Sequence, residues 1–165
     1  MKTVSVSSLL IVSICLAVLA AACFDGDHAR KFEVGGSAMA PSFPHDTIVH
    51  VEEYGIDEPQ QGDVVVFRSP ENPDLPLIRR IIGVPGDLVE IRDGLVYVNG
   101  TPLDEPYKWD PVVCPCGPWN IEQGHYFVLS DNRTKTSDSR TIGQIPEENI
   151  IGRVVEVDES GAGAR

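Results

Sequence analysis

Two short stretches hold residue types that matter for bond-breaking chemistry. In VGGSAMAPSF, residues 34–43, Ser37 stands beside Ala38 in a glycine-rich segment that runs on through Met39 to Pro41. In PLIRRIIGVPGD, Arg79 and Arg80 interrupt an otherwise apolar run. A serine hydroxyl becomes a nucleophile when a neighbouring base takes its proton. A guanidinium, with a pKa above about 12 and no free lone pair, cannot be that base. Lys135 lies in the polar stretch SDNRTKTSDSR and reads as solvated, while His45, His50 and His125 read as surface or strand residues. Ser37 is therefore a candidate nucleophile for which the sequence supplies no evident base.

The cysteines offer a second kind of chemistry. Cys15 lies in the first apolar run and Cys23 at its end, while Cys114 and Cys116 share the stretch VVCPCGPW. In an oxidising compartment the latter two would tend to join in a small disulfide ring. Separate thiols in a structural loop are the other reading. Two cysteines with no second pair and no nearby histidine make only half a metal site, so no metal is expected. No cofactor motif stands out.

These residues must be positioned by strands. TIVHVEE (47–53) alternates apolar and polar residues with the period of a half-buried strand. DVVVFRS (63–69) and PLIRRIIGV (76–84) are denser and read as more buried. Leu88 to Arg92 and Leu95 to Asn99 flank Asp93-Gly94 as a hairpin, and HYFVLS (125–130) and IIGRVVEV (150–157) add further strands. IPEENI has room for one helical turn. Residues 101–124, rich in proline, acid and aromatics, read as a loop or flap, and residues 158–165 as a disordered tail. The expected fold is mainly β, with strongly twisted, partly closed sheets over residues 32–157.

Nineteen residues from Val4 to Ala22 carry no charge, about the length that crosses a bilayer core. Three readings fit residues 1–23: a membrane anchor, a cleaved secretory signal, or a lipoprotein signal with Cys23 as the lipidated residue. Each places the β domain outside the cytoplasm, behind a polar linker at 24–31. Beyond residue 23 lie 12 of the 13 basic residues and all 25 acidic ones, a net charge of −13. Such a surface repels phosphate, so nucleic acid is excluded as a partner.

Four segments taken together resemble the bacterial type I signal peptidases over roughly residues 32–155. They are VGGSAMAPSF, GDVVVF (62–67), IRRIIGVPGD (78–87) and SDNRTKTSDSRTIG (130–143), in the order and at the spacing of that family. The resemblance implies a Ser–Lys dyad that cuts exported preproteins after a small-x-small motif. Val34, Gly36, Met39 and Pro41 fix the register and put Ala38 at the nucleophile position. The lysine position, directly before Arg80, holds Arg79. Alanine has nothing to attack with, and arginine cannot accept the proton.

The supporting positions are better kept. Asp131, Asn132, Arg133, Asp138, Ser139 and Arg140 match the family pattern, Thr136 keeps a hydroxyl where the family has a serine, and Ser130 replaces a glycine. Gly36 stands where some members carry an oxyanion-binding serine, so backbone donors alone would remain. Ser37, next to Ala38 on an extended segment, should face the opposite way. The resemblance thus implies a membrane-attached scaffold for signal peptides or other extended exported peptides, without its cutting groups. A non-catalytic peptide-binding module and a surface lipoprotein are the alternatives to an enzyme.

Overall fold

The computed structural model describes residues 29–158 apart from Trp109, Val113, Pro115 and Thr136. The expectations for residues 1–23, for Cys23, for Thr136 and for the tail beyond Asp158 lie outside the described residues. Among those described, the strands are β1 (Arg30–Glu33), β2 (Ile48–Glu52), β3 (Val64–Arg68), β4 (Pro76–Gly83), β5 (Leu88–Arg92), β6 (Leu95–Val98), β7 (Thr101–Pro102), β8 (Cys116–Asn120), β9 (His125–Leu129), β10 (Ile145–Pro146) and β11 (Ile150–Val157). One short helix spans Ser139–Ile142, and Glu147–Asn149 forms a 3₁₀ turn within IPEENI.

A seven-stranded sheet runs in the order β1-β2-β11-β3-β4-β9-β10, and a four-stranded sheet in the order β7-β6-β5-β8. Every strand pairing is antiparallel. The larger sheet is curled, with register shifts in β11 and β4 where it bends. The dense apolar run of β3 has a direct cause: its two faces feed different cores. Val64 and Val66 pack with Val34, Met39, Val49 and Val51, while Val65 and Phe67 pack with Ile81, Tyr126, Val128 and Ile145. A strand buried on both faces shows no polar alternation.

The smaller sheet docks through a third core, in which Val89, Ile91 and Val96 meet Ile82, Phe127 and Leu129. Gly83 sits where the two sheets meet. A Cβ there would lie 2.6 Å from Val89 Cγ2, so only glycine permits this approach. The β5–β6 turn has Asp93 and Gly94 both at positive φ, 53° and 76°, the backbone of a tight hairpin turn that matches strand twist.

Three boundaries expected from the sequence are corrected. The linker at 24–31 ends earlier, because Arg30 and Lys31 pair with Val51 and His50 as part of β1. The flap at 101–124 contains β7 and β8, which close the two edges of the smaller sheet by pairing with β6 and β5. Their glycine and proline content hides them from a periodicity argument. Asp158 is also held in place: its side chain meets His50 Nε2 at 2.7 Å, and its N–H donates to Ile48 O at 2.9 Å.

Candidate functional site

The end of β1, the turn that follows it and the first half of β4 enclose a cleft of about 410 Å³. Its lining includes Val34, Ala38, Met39, Leu77, Ile78 and Arg79, with Glu33 and Leu75 toward the opening. Ala38 and Arg79, 41 positions apart in sequence, thus face one space. The turn is set by Gly36 at φ 80°, and Met39 anchors it from the core at 1% exposure. Pro41 lies in the same turn, whose backbone closes with Phe43 N–H donating to Met39 O at 2.8 Å. Ser37 is exposed and is not among the cleft residues. It is separated from Ala38 by a tight turn and not by the strand alternation expected from the sequence.

The segment from Ser130 to Arg140 braces both walls. Asn132 N–H donates to Ala38 O at 2.9 Å and Asn132 Nδ2 to Ser37 O at 3.2 Å, which pins the turn. Ser137 O accepts from Arg79 Nε at 2.9 Å, and Ile78 O accepts from Arg79 Nη1 at 2.5 Å. Arg79 is nine-tenths buried. Burial pushes its guanidinium below the usual arginine range; Asp138 opposes this and Arg140 adds to it.

Asp138 caps the short helix. It accepts from Ser130 N–H at 3.0 Å and from Arg140 Nε and Nη2 at 2.8 and 2.7 Å. Ser139 Oγ accepts from Val128 N–H at 2.9 Å, tying that helix to β9. Arg80 meets Asp131 in a two-point contact at 2.9 and 2.7 Å, with its other face 4.0 Å from the Tyr107 ring centroid. Arg133 donates to Ser130 O at 2.8 Å and is paired, fully buried, with Glu105.

Glu105 and Tyr107 are the participants that sequence reasoning missed. They come from DEPYKW in the flap, where spacing carries no hint of partners 28 and 27 positions away. Lys135 is exposed, as its surroundings suggested, and lines no part of the cleft. His50 lies on β2 against Asp158, and His45 and His125 lie outside the cleft. Cys114 and Cys116 form a disulfide at the start of β8. Among the described residues, no group of His, Cys, Asp and Glu is arranged to hold a metal ion. No helix among them is long and apolar enough to cross a membrane.

The site is thus an apolar cleft between strand edges of an antiparallel β scaffold, faced by two sequence-distant positions and braced by a capped arginine–aspartate segment. The comparisons with known proteins make the assignment specific. Residues 7–157 match the family model described as signal peptidase, peptidase S26. A signal peptidase I of Leptolyngbya laminosa is 39% identical over 115 residues, covering 66% of this chain and 57% of that protein. Signal peptidase IB of Staphylococcus aureus is 33% identical over 143 residues, covering 74% of each. The crystal structure of a signal peptidase I from Enterococcus faecalis superposes with a TM-score of 0.51 at 31% identity, covering 61% of this chain and 99% of that one. The chain belongs to the signal peptidase I family. It spans 57% of the length of the Leptolyngbya protein and 58% of that of a probable signal peptidase I-2 of Synechocystis, less than two thirds of each.

Proposed function

We propose that this protein is a signal-peptidase-like receptor that holds extended exported peptides without cutting them. The observation that supports it is the composition of the cleft. Among its described lining residues there is no hydroxyl, thiol, amine or imidazole, and the titratable members are Glu33 and Arg79. Ala38 and Arg79 would stand in for the serine and lysine of a working dyad. Gly36 and the Ala38 N–H would then mark the place where an oxyanion is held in an active relative.

Backbone geometry supports peptide binding. β1 ends the larger sheet, so its outer edge pairs with no described strand. Residues Pro76 to Arg79 of β4 pair with β3 on one side, while β9 begins its pairing only at Arg80. Two unpaired edges therefore flank the cleft, and an extended peptide can be added there as a strand. Apolar walls of Val34, Leu77 and Ile78 suit small apolar side chains. We also propose that residues 1–23 attach the domain to the outer face of a membrane, as a span or through lipid on Cys23.

The decisive experiment compares cleavage of a membrane-inserted preprotein by this chain and by an Ala38→Ser/Arg79→Lys variant. No cleavage is expected from the unaltered chain, and cutting after a small-x-small site from the variant. Cutting by the unaltered chain would overturn the non-cutting reading and point to Ser37.

A further inference from the structure

The Arg79 guanidinium is a buried cation without a counter-charge of its own. No carboxylate of the described residues lies within ion-pair distance of it, and two of its nitrogens are met by the carbonyls of Ser137 and Ile78. No neighbouring acid neutralises it, for a geometric reason. Asp138, the acid whose charge acts on it, is taken up by the two contacts from Arg140 and by Ser130 N–H. Asp131 is likewise taken up by Arg80. The third nitrogen, Nη2, has no partner among the described residues and is not sealed from solvent, in a residue that lines the cleft.

A second donor belongs to another residue that lines the cleft. The Ala38 N–H has no acceptor among the described residues, although the carbonyls of Ser37 and Ala38 are fixed from behind by Asn132. The alanine side chain also leaves room for an oxygen atom where a serine would place its hydroxyl. Glu33, at the mouth, is exposed and screened by water, so it does not cancel the charge inside.

A buried positive charge and an unused backbone N–H in an otherwise apolar slot favour an anion that arrives at the end of an extended chain. We propose that the cleft captures the free α-carboxylate of a peptide with a small-x-small C-terminus, through Arg79 Nη2 and the Ala38 N–H. The ligand class is an already cut leader peptide and not the intact preprotein, whose peptide bond at that point is neutral. This rests on the reading of the cleft as a peptide site. It also accounts for arginine as the cation, since a guanidinium can hold the carbonyls of Ser137 and Ile78 with two nitrogens and still offer the third to a ligand. A charge-assisted contact of this kind separates acid from amide by about tenfold or more.

The test is calorimetric titration of the full chain, in detergent micelles, with one peptide made as the free acid and as the C-terminal amide. The acid is expected to bind at least about tenfold more tightly. Arg79→Gln is expected to abolish the difference between the acid and the amide, whatever it does to their common affinity. Equal affinity for the two peptides on the unaltered chain would overturn the carboxylate role and leave the peptide site standing. No binding of either would remove the peptide site itself, and this inference with it. The acid–amide comparison needs no variant, so it decides the matter even if Arg79→Gln does not fold.

Discussion

At the scale of single residues, the segment that braces the cleft depends on charges that were taken out of water in pairs. Arg133 and Glu105 have side-chain exposures of 0% and 1%, and their ion pair is completed by Arg133 Nε donating to Ser130 O. Arg133 also offers its own carbonyl to Arg140 Nη1 at 2.9 Å, so the pair holds the segment that carries Asn132 and Ser137. Removing one partner leaves the other charge buried and unpaired, which costs about 3–5 kcal/mol, whereas replacing both with apolar groups costs far less. Glu105→Ala is expected to lower stability by that amount in chemical denaturation, with Glu105→Leu/Arg133→Met recovering most of it. A wild-type midpoint for Glu105→Ala would mean that the flap does not brace the site. Arg80, by contrast, is clamped between Asp131 and the Tyr107 ring, which suits a positioning role one residue away from Arg79.

At the scale of elements, the curled sheet depends on strands that come closer than side chains allow. β11 lies between β2 and β3, and its register shifts between Ile150 and Gly152. A Cβ added at Gly152 would sit 2.1 Å from Glu52 O, a backbone atom of β2 that cannot swing aside. Gly152→Ala is therefore expected to destabilise by about 1–3 kcal/mol or more, read as a shifted denaturation midpoint. Gly35→Ala, where nothing lies within 4 Å, is expected to stay within about 0.5 kcal/mol. β3, β4 and β9 were legible in the sequence because long apolar runs leave little choice but a doubly covered strand. β1 was not, since RKFE has one apolar residue and owes its conformation to pairing with β2. β8, CGPWN, was hidden because edge pairing with β5 tolerates the glycine and proline that rule out an interior strand. The cleft was legible as far as motif spacing reaches, which placed Ala38 and Arg79 in register. Glu105 and Tyr107 were not, because contacts made across a long loop leave no local period to read.

At the scale of the whole molecule, charge and burial together limit the alkaline range. Tyr54 packs against the core that holds Tyr126 while Tyr107 lies in the flap, and burial raises the phenol of each above its ordinary value of 10.0. Asp63 adds to this at Tyr54, whose hydroxyl donates to it at 2.8 Å, and Glu105 does so at Tyr107. Tyr126 is pushed up to about 12, with Glu147 and Glu58 contributing. The folded state thus keeps protons that the unfolded chain releases from about pH 10 upward. Where the folded state binds more protons than the unfolded one, stability falls as pH rises. This contribution is fully present below pH 10 and is lost progressively through pH 12. The chain already carries a net charge of −12, so each phenolate formed adds repulsion in the same direction. The melting temperature should therefore hold steady through neutral pH and decline above about pH 10. Phenolate absorbance from these three residues should appear together with loss of the β-sheet circular dichroism signal, and not ahead of it. Ionisation of all tyrosines near pH 10 in a still-folded protein would show that water reaches these rings, and that the cores around β9 and the flap are more open than their packing implies.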